Sequence, residues 1–311
     1  MSKEIGFIII GILILFGLAF EPLKENAARN RGREGDNPAS KASSIASSKS
    51  TNDTKDTAET IRNTQEEIEQ IEKELQKQME ESRRSPYYNK IKMSNLSGRN
   101  NPDPSKEYLR LSTNLDKGET VNITGWYLKS EVTGYFATIG KAALLPFPYT
   151  KNESDIILKD GDKVVLSKGF SPIGVSFHTN ICTGYFEENR TFYPSLSKQC
   201  PKPIDEDLPQ FSSVLDRHDE CLDLIERIPR CTTRDNEYFR DLPDTVPSSC
   251  KVYMQTQVNY NSCVAKNFGD PDFPGQEYRV YLNKFGPLWR KEREKINLHD
   301  SSGLIVDSIE Y

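Results

Sequence analysis

The chain has 311 residues, of which 28% are charged and 35% are hydrophobic, and its formal net charge is −5. This hydrophobic share is low for one compact domain of that length, so we expect roughly 200 residues of globular structure behind a non-globular segment. The acidic balance offers no broad basic surface of the kind that nucleic-acid-binding domains carry, so no nucleic-acid partner is expected.

The first predicted element is an uncharged apolar run, Ile5–Phe20. At about 1.5 Å per helical residue it would be roughly 24 Å long, which lies between a signal-peptide core and the roughly 30 Å of a bilayer core. Gly17-Leu18-Ala19 has the small-residue spacing of a signal-peptidase site, but only Lys3, offset by Glu4, charges the N-terminal region. We therefore predict that residues 1–24 are a membrane anchor, with a cleaved signal segment and a secreted protein as the alternative.

Two signals disagree about the side of the membrane on which the chain lies. Four basic residues follow the apolar run: Lys24, Arg29, Arg31 and Arg33. The positive-inside rule predicts that such residues stay in the cytoplasm. All six cysteines lie between Cys182 and Cys263, and disulfides persist mainly in exported proteins. Because three of the basic residues lie well beyond the run, we give the cysteines more weight than the basic residues. We therefore predict a single-pass protein of the cell membrane with an extracytoplasmic C-terminal domain.

Residues 25–54 are predicted to be a disordered linker. The stretch PASKASSIASSKSTNDT is rich in Ser, Ala, Asn and Thr. Such a segment has almost no apolar surface to bury, so it cannot offset the entropy that ordering would cost.

Residues 55–85 are predicted to form a helix. Asp56 and Glu59 resemble a capping pair, and Pro86 ends the segment. Thr64 and Gln78 occupy d heptad positions. Four apolar residues fall on the other a and d positions: Ile61, Ile68, Ile71 and Leu75. About three heptads make a short run. The pattern fits either a short coiled coil that associates chains through residues 57–79 or a single solvated helix, and both stay open.

From residue 86 the apolar and polar residues alternate, which is typical of strands. The alternation is clear in three segments, Lys90–Met93, Tyr108–Leu111 and Val121–Thr124. Near the C-terminus, the turn residues Asp300–Gly303 predict a hairpin between Ile296–His299 and Leu304–Ile309. Several short strands with turns between them favour a mainly β fold, a β-sandwich, over parallel strands with crossover helices.

Two parts of this region carry a more specific pattern. The segments EYLRLSTN, VNITGWYLKS and ILKDGDKVVLSKG include the Gly-Trp strand Asn122–Leu128, and Leu298–Ser308 is the closing hairpin. Together, residues 90–174 and 296–311 resemble the lamin-tail domain, an immunoglobulin-like β-sandwich. The whole layout is similar to that of membrane-anchored envelope proteins of uncultured, small-genome bacteria that carry this domain. The resemblance implies a binding or scaffolding module over residues 86–311.

The core of this sandwich is expected to hold Trp126, Leu128, Leu111, Ile305 and Val306. Trp126 follows a glycine on an alternating strand, so it is expected to fill the core, with stacking on a ligand as the alternative. Asp307 is expected to face solvent or to form hydrogen bonds in the closing hairpin, with a role as a ligand or an acid as the alternative.

Residues 175–290 separate the two matched parts and contain all six cysteines. We expect a disulfide-stapled, partly helical insertion that lies on or beside the sandwich. One helix is predicted at Asp219–Ile225 and a second, with a Ser cap, at Ser248–Met254. If the two segments are antiparallel, the pairs are Cys221–Cys263 and Cys231–Cys250, with Cys182–Cys200 in a separate loop, which is one of many possible connectivities.

The competing interpretation of the cysteines is a zinc site, which favours closely spaced pairs and a nearby histidine. No two cysteines are closer than ten residues, and His178, His218 and His299 are scattered. No nucleophile, phosphate-loop, HExxH or dinucleotide motif occurs, and neither Asp205–Asp207 nor Asp216–Glu220 has the spacing of a calcium loop. No catalytic, cofactor-binding or metal-binding residue is therefore predicted.

Eight aromatic residues of the insertion are expected to fill a small core, with an exposed sugar- or protein-binding face as the alternative: Tyr185, Phe186, Phe192, Tyr193, Tyr238, Phe239, Tyr253 and Tyr260.

We hypothesise a non-catalytic binding or scaffolding protein of the cell envelope whose partner is a surface protein or a glycan. One alternative is an exported carbohydrate-active enzyme with its carboxylate pair in the insertion, since such a pair leaves no sequence signature. A second alternative is a nucleic-acid-binding surface protein, which the acidic net charge disfavours.

Overall fold

A computed structural model describes residues 50–147, 152–286 and 288–311, with side chains from residue 59 onwards. The predicted anchor, residues 1–24, and most of the predicted linker lie outside the described residues. Within the described part, no helix is both long enough and apolar enough to cross a membrane.

The chain divides into two compact units, Met1–Glu66 and Glu67–Tyr311. The boundary falls inside α1, Ser50–Ser82, which is the helix predicted for residues 55–85 and begins five residues earlier than predicted. From residue 59, every side chain of α1 is exposed, including its heptad isoleucines and leucine. Whether these side chains pair with another chain stays a prediction.

The C-terminal unit, Glu67–Tyr311, is rich in β structure. Its described strands are β1 Ile91–Met93, β2 Tyr108–Thr113, β3 Val121–Asn122, β4 Tyr127–Ser130, β5 Phe136–Thr138, β6 Ala142–Ala143, β7 Glu153–Ser154, β8 Ile157–Leu158, β9 Lys163–Ser167, β10 Phe177–Asn180, β11 Pro274–Tyr281, β12 Lys295–His299 and β13 Ile305–Glu310. Four α-helices lie between β10 and β11: α2 Leu215–Glu226, α3 Asn236–Arg240, α4 Ser248–Gln257 and α5 Tyr260–Asn267. Short 3₁₀ helices occupy Pro104–Lys106, Thr183–Glu188 and Pro203–Asp205.

Two main sheets organise these strands. A seven-stranded sheet has the order β1-β2-β9-β11-β10-β6-β7, a four-stranded sheet has the order β13-β12-β4-β5, and β3 pairs with β8. Most neighbours are antiparallel, but β11 runs parallel to β9 and β10 runs parallel to β6. The predicted C-terminal hairpin is confirmed as β12 and β13, joined by a turn in which the Asp300 carboxylate accepts hydrogen bonds from the backbone N–H of Ser302 and of Leu304, at 2.9 and 3.0 Å.

The two main sheets share one hydrophobic core. Leu111 from the seven-stranded sheet, Leu128 and Val306 from the four-stranded sheet, and Trp126, with an exposed fraction of 2%, belong to the same cluster. Four of the five predicted core residues are therefore confirmed. The prediction for Ile305 is wrong: its side chain is only half-buried, because alternation along β13 turns Val306 inward and Ile305 outward.

The predicted bounds of the insertion, residues 175–290, are wrong, because both of its ends belong to the seven-stranded sheet. Strand β11 pairs with β9 over Glu277–Tyr281 and Lys163–Ser167, and it also pairs with β10. Only residues 181–273 leave the sheet, and we call this segment the excursion. A second hydrophobic cluster includes excursion residues together with Phe177 and Tyr281. The excursion therefore covers the face of the sheet that points away from the first core.

Three disulfides hold the excursion together. Cys182 pairs with Cys263, Cys200 with Cys231 and Cys221 with Cys250. All six cysteines are thus disulfide-bonded as predicted, and none is free to bind zinc as a thiolate.

All three predicted pairings are wrong: Cys221–Cys263, Cys231–Cys250 and Cys182–Cys200. They assumed two antiparallel segments that pair outer cysteine with outer cysteine. Both predicted helices do form, as α2 and α4, but their own cysteines face each other in a third cluster of buried residues. The Ser cap predicted for α4 is absent, since Pro247 precedes this helix.

A buried ion pair joins three separate parts of the C-terminal unit. Lys168, which is 1% exposed, lies with its Nζ 3.2 Å from Oε2 of Glu107. The indole Nε1 of Trp289 donates to the same oxygen at 3.0 Å. Lys168 directly follows β9, Glu107 directly precedes β2, and Trp289 lies in the segment between β11 and β12, so one carboxylate joins the adjacent ends of β2 and β9 to that segment. Removing one partner of a buried pair leaves an uncompensated charge, which is strongly destabilising.

We expect the substitution Lys168→Met to lower the free energy of unfolding by about 3–5 kcal/mol, because Glu107 stays buried without its cation. Urea denaturation measures this change. The matched control is Arg240→Met, which breaks an exposed 3.4 Å pair with Glu237 and is expected to cost less than about 1 kcal/mol. Equal costs for the two variants would contradict the role assigned to the buried pair.

A proteolytic digest without reduction is expected to give three cross-linked peptide pairs, one for each disulfide described above. Mass spectrometry identifies them, and the sharpest test is the Cys221–Cys250 link between α2 and α4. A Cys221–Cys263 link, or a free thiol in the oxidised protein, would show that the excursion is packed differently.

Candidate functional site

An open groove of about 770 Å³ lies between the end of α1 and the four-stranded sheet, within the C-terminal unit. We call it the basic groove, because its walls carry four cations. The residues that define it are Arg83, Arg84, Lys129, Lys295, Asn297 and His299.

Backbone hydrogen bonds fix one wall of the basic groove. Beyond α1 the chain runs beside β13, where the N–H of Ile305 donates to the Arg83 carbonyl at 2.7 Å and the N–H of Ser85 donates to the Ile305 carbonyl at 2.8 Å. Arg84 and Ile305 form a parallel β-bridge. The two arginines are therefore held at the edge of the sheet by main-chain atoms, independently of their side chains.

Strand alternation builds the floor of the basic groove. Successive residues of a strand point to opposite faces of a sheet. Ile296 and Leu298 of β12 lie in the core, so Lys295, Asn297 and His299 face the groove. Lys129 of β4 lies opposite Asn297 in the antiparallel register, which adds a second cation to the floor.

The cations of the groove outnumber its carboxylates. Arg83, Arg84, Lys129 and Lys295 stand against Glu80 and Glu131, a net charge of +2 with His299 counted as neutral. Lys129 pairs with Glu131 at 3.6 Å, and the Arg84 guanidinium lies 4.5 Å from the centroid of the Tyr88 ring. The side chains of Arg83 and Lys295 have no hydrogen-bond or ion-pair partner among the described residues. Two cations are thus available to a ligand.

Asn297 anchors the polar network of the floor. Its side chain is 4% exposed, its Nδ2 donates to Oε1 of Glu131 at 3.0 Å, and its Oδ1 accepts from the hydroxyl of Ser308 at 2.7 Å. The network holds Glu131 beside Lys129 and limits how far this carboxylate can move towards the free cations.

His299 lies at one end of the floor and is stacked on Tyr127, with 4.7 Å between ring centroids. Its Nδ1 is 3.0 Å from the carbonyl oxygen of Gly303, and because a carbonyl only accepts, Nδ1 carries the hydrogen. Its Nε2 is buried and has no hydrogen-bond partner among the described residues. Within the same part of the chain, no group of three or more His, Cys, Asp or Glu side chains is placed to hold a metal ion.

Asp307 has a structural role, although not the one expected within the hairpin. Its Oδ2 accepts from the backbone N–H of Met93 at 2.6 Å, and its Oδ1 lies 3.6 Å from the ammonium of Lys92. The carboxylate therefore joins β13 to β1 across the two sheets.

An aromatic ledge forms a second surface, defined by Phe170, Tyr193 and Phe285. Phe285 is 87% exposed, and its ring contacts that of Phe170 at a tilt of 40° with 4.2 Å between centroids. The Lys106 ammonium lies 4.6 Å from the centroid of Tyr193. Of the eight aromatic residues singled out in the sequence, core filling is confirmed for Tyr185, Phe186, Phe192, Phe239, Tyr253 and Tyr260. Burial raises the pKa of the Tyr260 hydroxyl to about 12.

One cleft of the excursion, of about 340 Å³, is lined by two carboxylates, Glu188 and Asp235. Both are used in structural hydrogen bonds. Glu188 accepts from the backbone N–H and the hydroxyl of Thr233, at 2.5 and 2.7 Å. Asp235 caps α3 by accepting from the N–H of Tyr238 at 2.8 Å. Both carboxylates therefore stabilise the local fold of the excursion.

Sequence reasoning did not single out the residues of the basic groove. Arg83 and Arg84 fell within the helix predicted for residues 55–85, and no role was assigned to Lys129 or Lys295. The available signal was the alternation Lys295-Ile296-Asn297-Leu298-His299, which puts three polar side chains on one face. No local sequence signal indicated that residues 83–85 pair with β13.

No protein-family model, curated protein or solved structure matches the chain.

A second histidine, His178 on β10, is stacked on Tyr278 with 4.2 Å between centroids. Burial lowers the pKa of His178 from 6.5, and the Asp162 carboxylate and a hydrogen bond with the Gly275 backbone oppose this only in part. Its Nε2 is buried without a hydrogen-bond partner among the described residues. The folded state therefore favours the neutral imidazole.

This lowered pKa predicts that acid weakens the fold. Below pH 6.5 the unfolded chain binds a proton at His178 that the folded chain binds less readily, so the free energy of unfolding falls as the pH falls. The variant His178→Phe keeps an aromatic ring but does not titrate, so it is expected to lose less stability than the wild type between pH 7 and about pH 5. Thermal unfolding across this range measures the difference, and equal losses would contradict the assignment.

Proposed function

We propose that this chain is a membrane-anchored, extracytoplasmic binding or scaffolding protein of the cell envelope, and that it acts through the basic groove without catalysis. The observation that carries the proposal is a pair of cations, Arg83 and Lys295, that have no side-chain partner in the described part of the chain and lie in an open groove of an otherwise acidic protein. Both cations are exposed and solvated in the free protein, and the positive potential of the groove attracts a ligand of opposite charge.

Two further features support an extracytoplasmic site. The three disulfides fit an oxidising compartment, and the apolar run at residues 5–20 fits a membrane anchor. In this proposal, the two sheets that share a core correspond to a lamin-tail-like, immunoglobulin-type sandwich, and β10, the excursion and β11 are its main departure from that pattern.

The heptad face of α1 is part of the proposal as a contact for a partner helix. The side chains of Ile68, Ile71 and Leu75 are half to two-thirds exposed. Glutamates occupy the positions that flank this face at Glu67, Glu72, Glu74 and Glu81. Like charges at these positions oppose the pairing of two copies, whereas a basic partner helix would be attracted.

A carbohydrate-active enzyme is the second candidate, and the carboxylates of the excursion are the place to test it. The engagement of Glu188 and Asp235 in structural hydrogen bonds argues for binding rather than hydrolysis. A glycosidase needs two carboxyl groups that face the substrate, about 5–9 Å apart.

The proposal is tested by incubating the purified full-length chain with an envelope fraction, peptidoglycan and common polysaccharides. We expect retention of envelope material and no new reducing ends or soluble fragments. The test variant combines Arg83→Gln with Lys295→Gln and is expected to reduce retention. The matched control combines Glu188→Gln with Asp235→Asn and is expected to leave retention unchanged. Release of fragments that the second pair of substitutions abolishes would reject the proposal in favour of the enzyme.

A further inference from the structure

We propose that the basic groove binds an acidic polysaccharide, a chain in which anionic groups are separated by neutral sugar units. The inference rests on the proposed function and goes further by naming the class of ligand. It depends on three properties of the groove, namely which cations are free, where the carboxylates lie, and how open the site is.

The free cations favour a ligand that carries negative charge. Arg83 and Lys295 have no partner among the described residues, and the Arg84 guanidinium contacts only the face of Tyr88. A guanidinium presents a planar fork of donors that matches a carboxylate or a phosphate. Because main-chain hydrogen bonds to β13 fix the backbone at both arginines, only their side chains need to be ordered when a ligand binds.

The carboxylates exclude a uniformly charged polymer. Glu80 and Glu131 line the same groove as the cations, and Glu131 is held in place by Asn297. Duplex DNA carries a negative charge about every 1.7 Å of its axis, so it would bring phosphates against both glutamates. A polymer whose charges are spaced by neutral sugars can place its anions on Arg83 and Lys295 and neutral units beside the glutamates.

The openness and polarity of the groove favour a chain over a small molecule. Its volume of about 770 Å³ is in the range of ligand sites, roughly 300–1,000 Å³, but it is open to solvent rather than enclosed. Its surface offers the exposed hydroxyl of Ser308 and the donors of Arg83 and Lys295, whereas the amide of Asn297 and the ring nitrogens of His299 are engaged or buried beneath it. Hydroxyl-bearing sugar units can exchange hydrogen bonds with such a surface, and the chain can extend beyond it at no steric cost.

The test is a binding titration of the full-length protein with hyaluronan, which carries a carboxylate on alternate sugars. Dextran is the neutral comparison and a DNA duplex is the densely charged one. We expect hyaluronan to bind more tightly than either. We also expect binding to be lost near 1 M salt, where the screening length is about 3 Å.

The variant pair Arg83→Gln and Lys295→Gln is expected to weaken hyaluronan binding by about tenfold. Neither side chain has a partner to lose among the described residues, so the fold should be preserved, and an unchanged Tm verifies this. The matched control is Lys117→Gln with Arg217→Gln, which removes the same charge from exposed positions away from the groove and is expected to leave binding unchanged.

Three results would overturn the inference. They are equal loss of binding in the groove and control variants, tighter binding of dextran, and tighter binding of the DNA duplex. Retention of envelope material together with failure to bind hyaluronan would reject the acidic polysaccharide while leaving the proposed binding function intact. Loss of both would reject the proposed function itself.

Discussion

The pairing of β11 with β9 is the constraint on which the rest of the C-terminal unit depends. Parallel neighbours cannot be joined by a tight turn: along the chain, β10 lies between β9 and β11, and the excursion then connects β10 to β11, its antiparallel neighbour on the other side. Once β11 is in place it serves two cores: Tyr278 and Val280 enter the one shared by the two sheets, and Tyr281 enters the one beneath the excursion. Arg279 is buried between the layers, where its guanidinium donates to the carbonyls of Pro194 and Ser195.

This arrangement places the disulfides and the proposed binding groove on different sheets of the C-terminal unit. The disulfides lie in the excursion, on one face of the seven-stranded sheet, whereas the basic groove lies on the four-stranded sheet, whose inner face closes the other core. A groove built on strands holds its charges more precisely than one built on loops. Substitution of Arg83 or Lys295 is therefore expected to change the proposed binding surface at little cost to the fold.

Local signals made part of this structure predictable. The turn at Asp300–Gly303, the burial of Trp126 and the existence of α2 follow from turn chemistry, alternation and helix-ending residues, which act over a few positions. The disulfide partners and the place of β11 depend on contacts between residues far apart in sequence. The alternation around Tyr278 and Val280 was present, but it was assigned to an insertion. The basic groove was not predicted for the same reason, because Arg84 pairs with β13 across some 220 residues of sequence.

Native-state hydrogen exchange followed by NMR tests most directly whether β11 is integral to a single body. We predict that the amides of β9 and β11 exchange only through global unfolding, with the same opening free energy and denaturant dependence as those of β4 and β12. The contradicting result is that the amides of β11 and the excursion open together at a lower free energy while β4 and β12 stay protected. The excursion would then be a separate appendage, and β11 would not hold the two cores together.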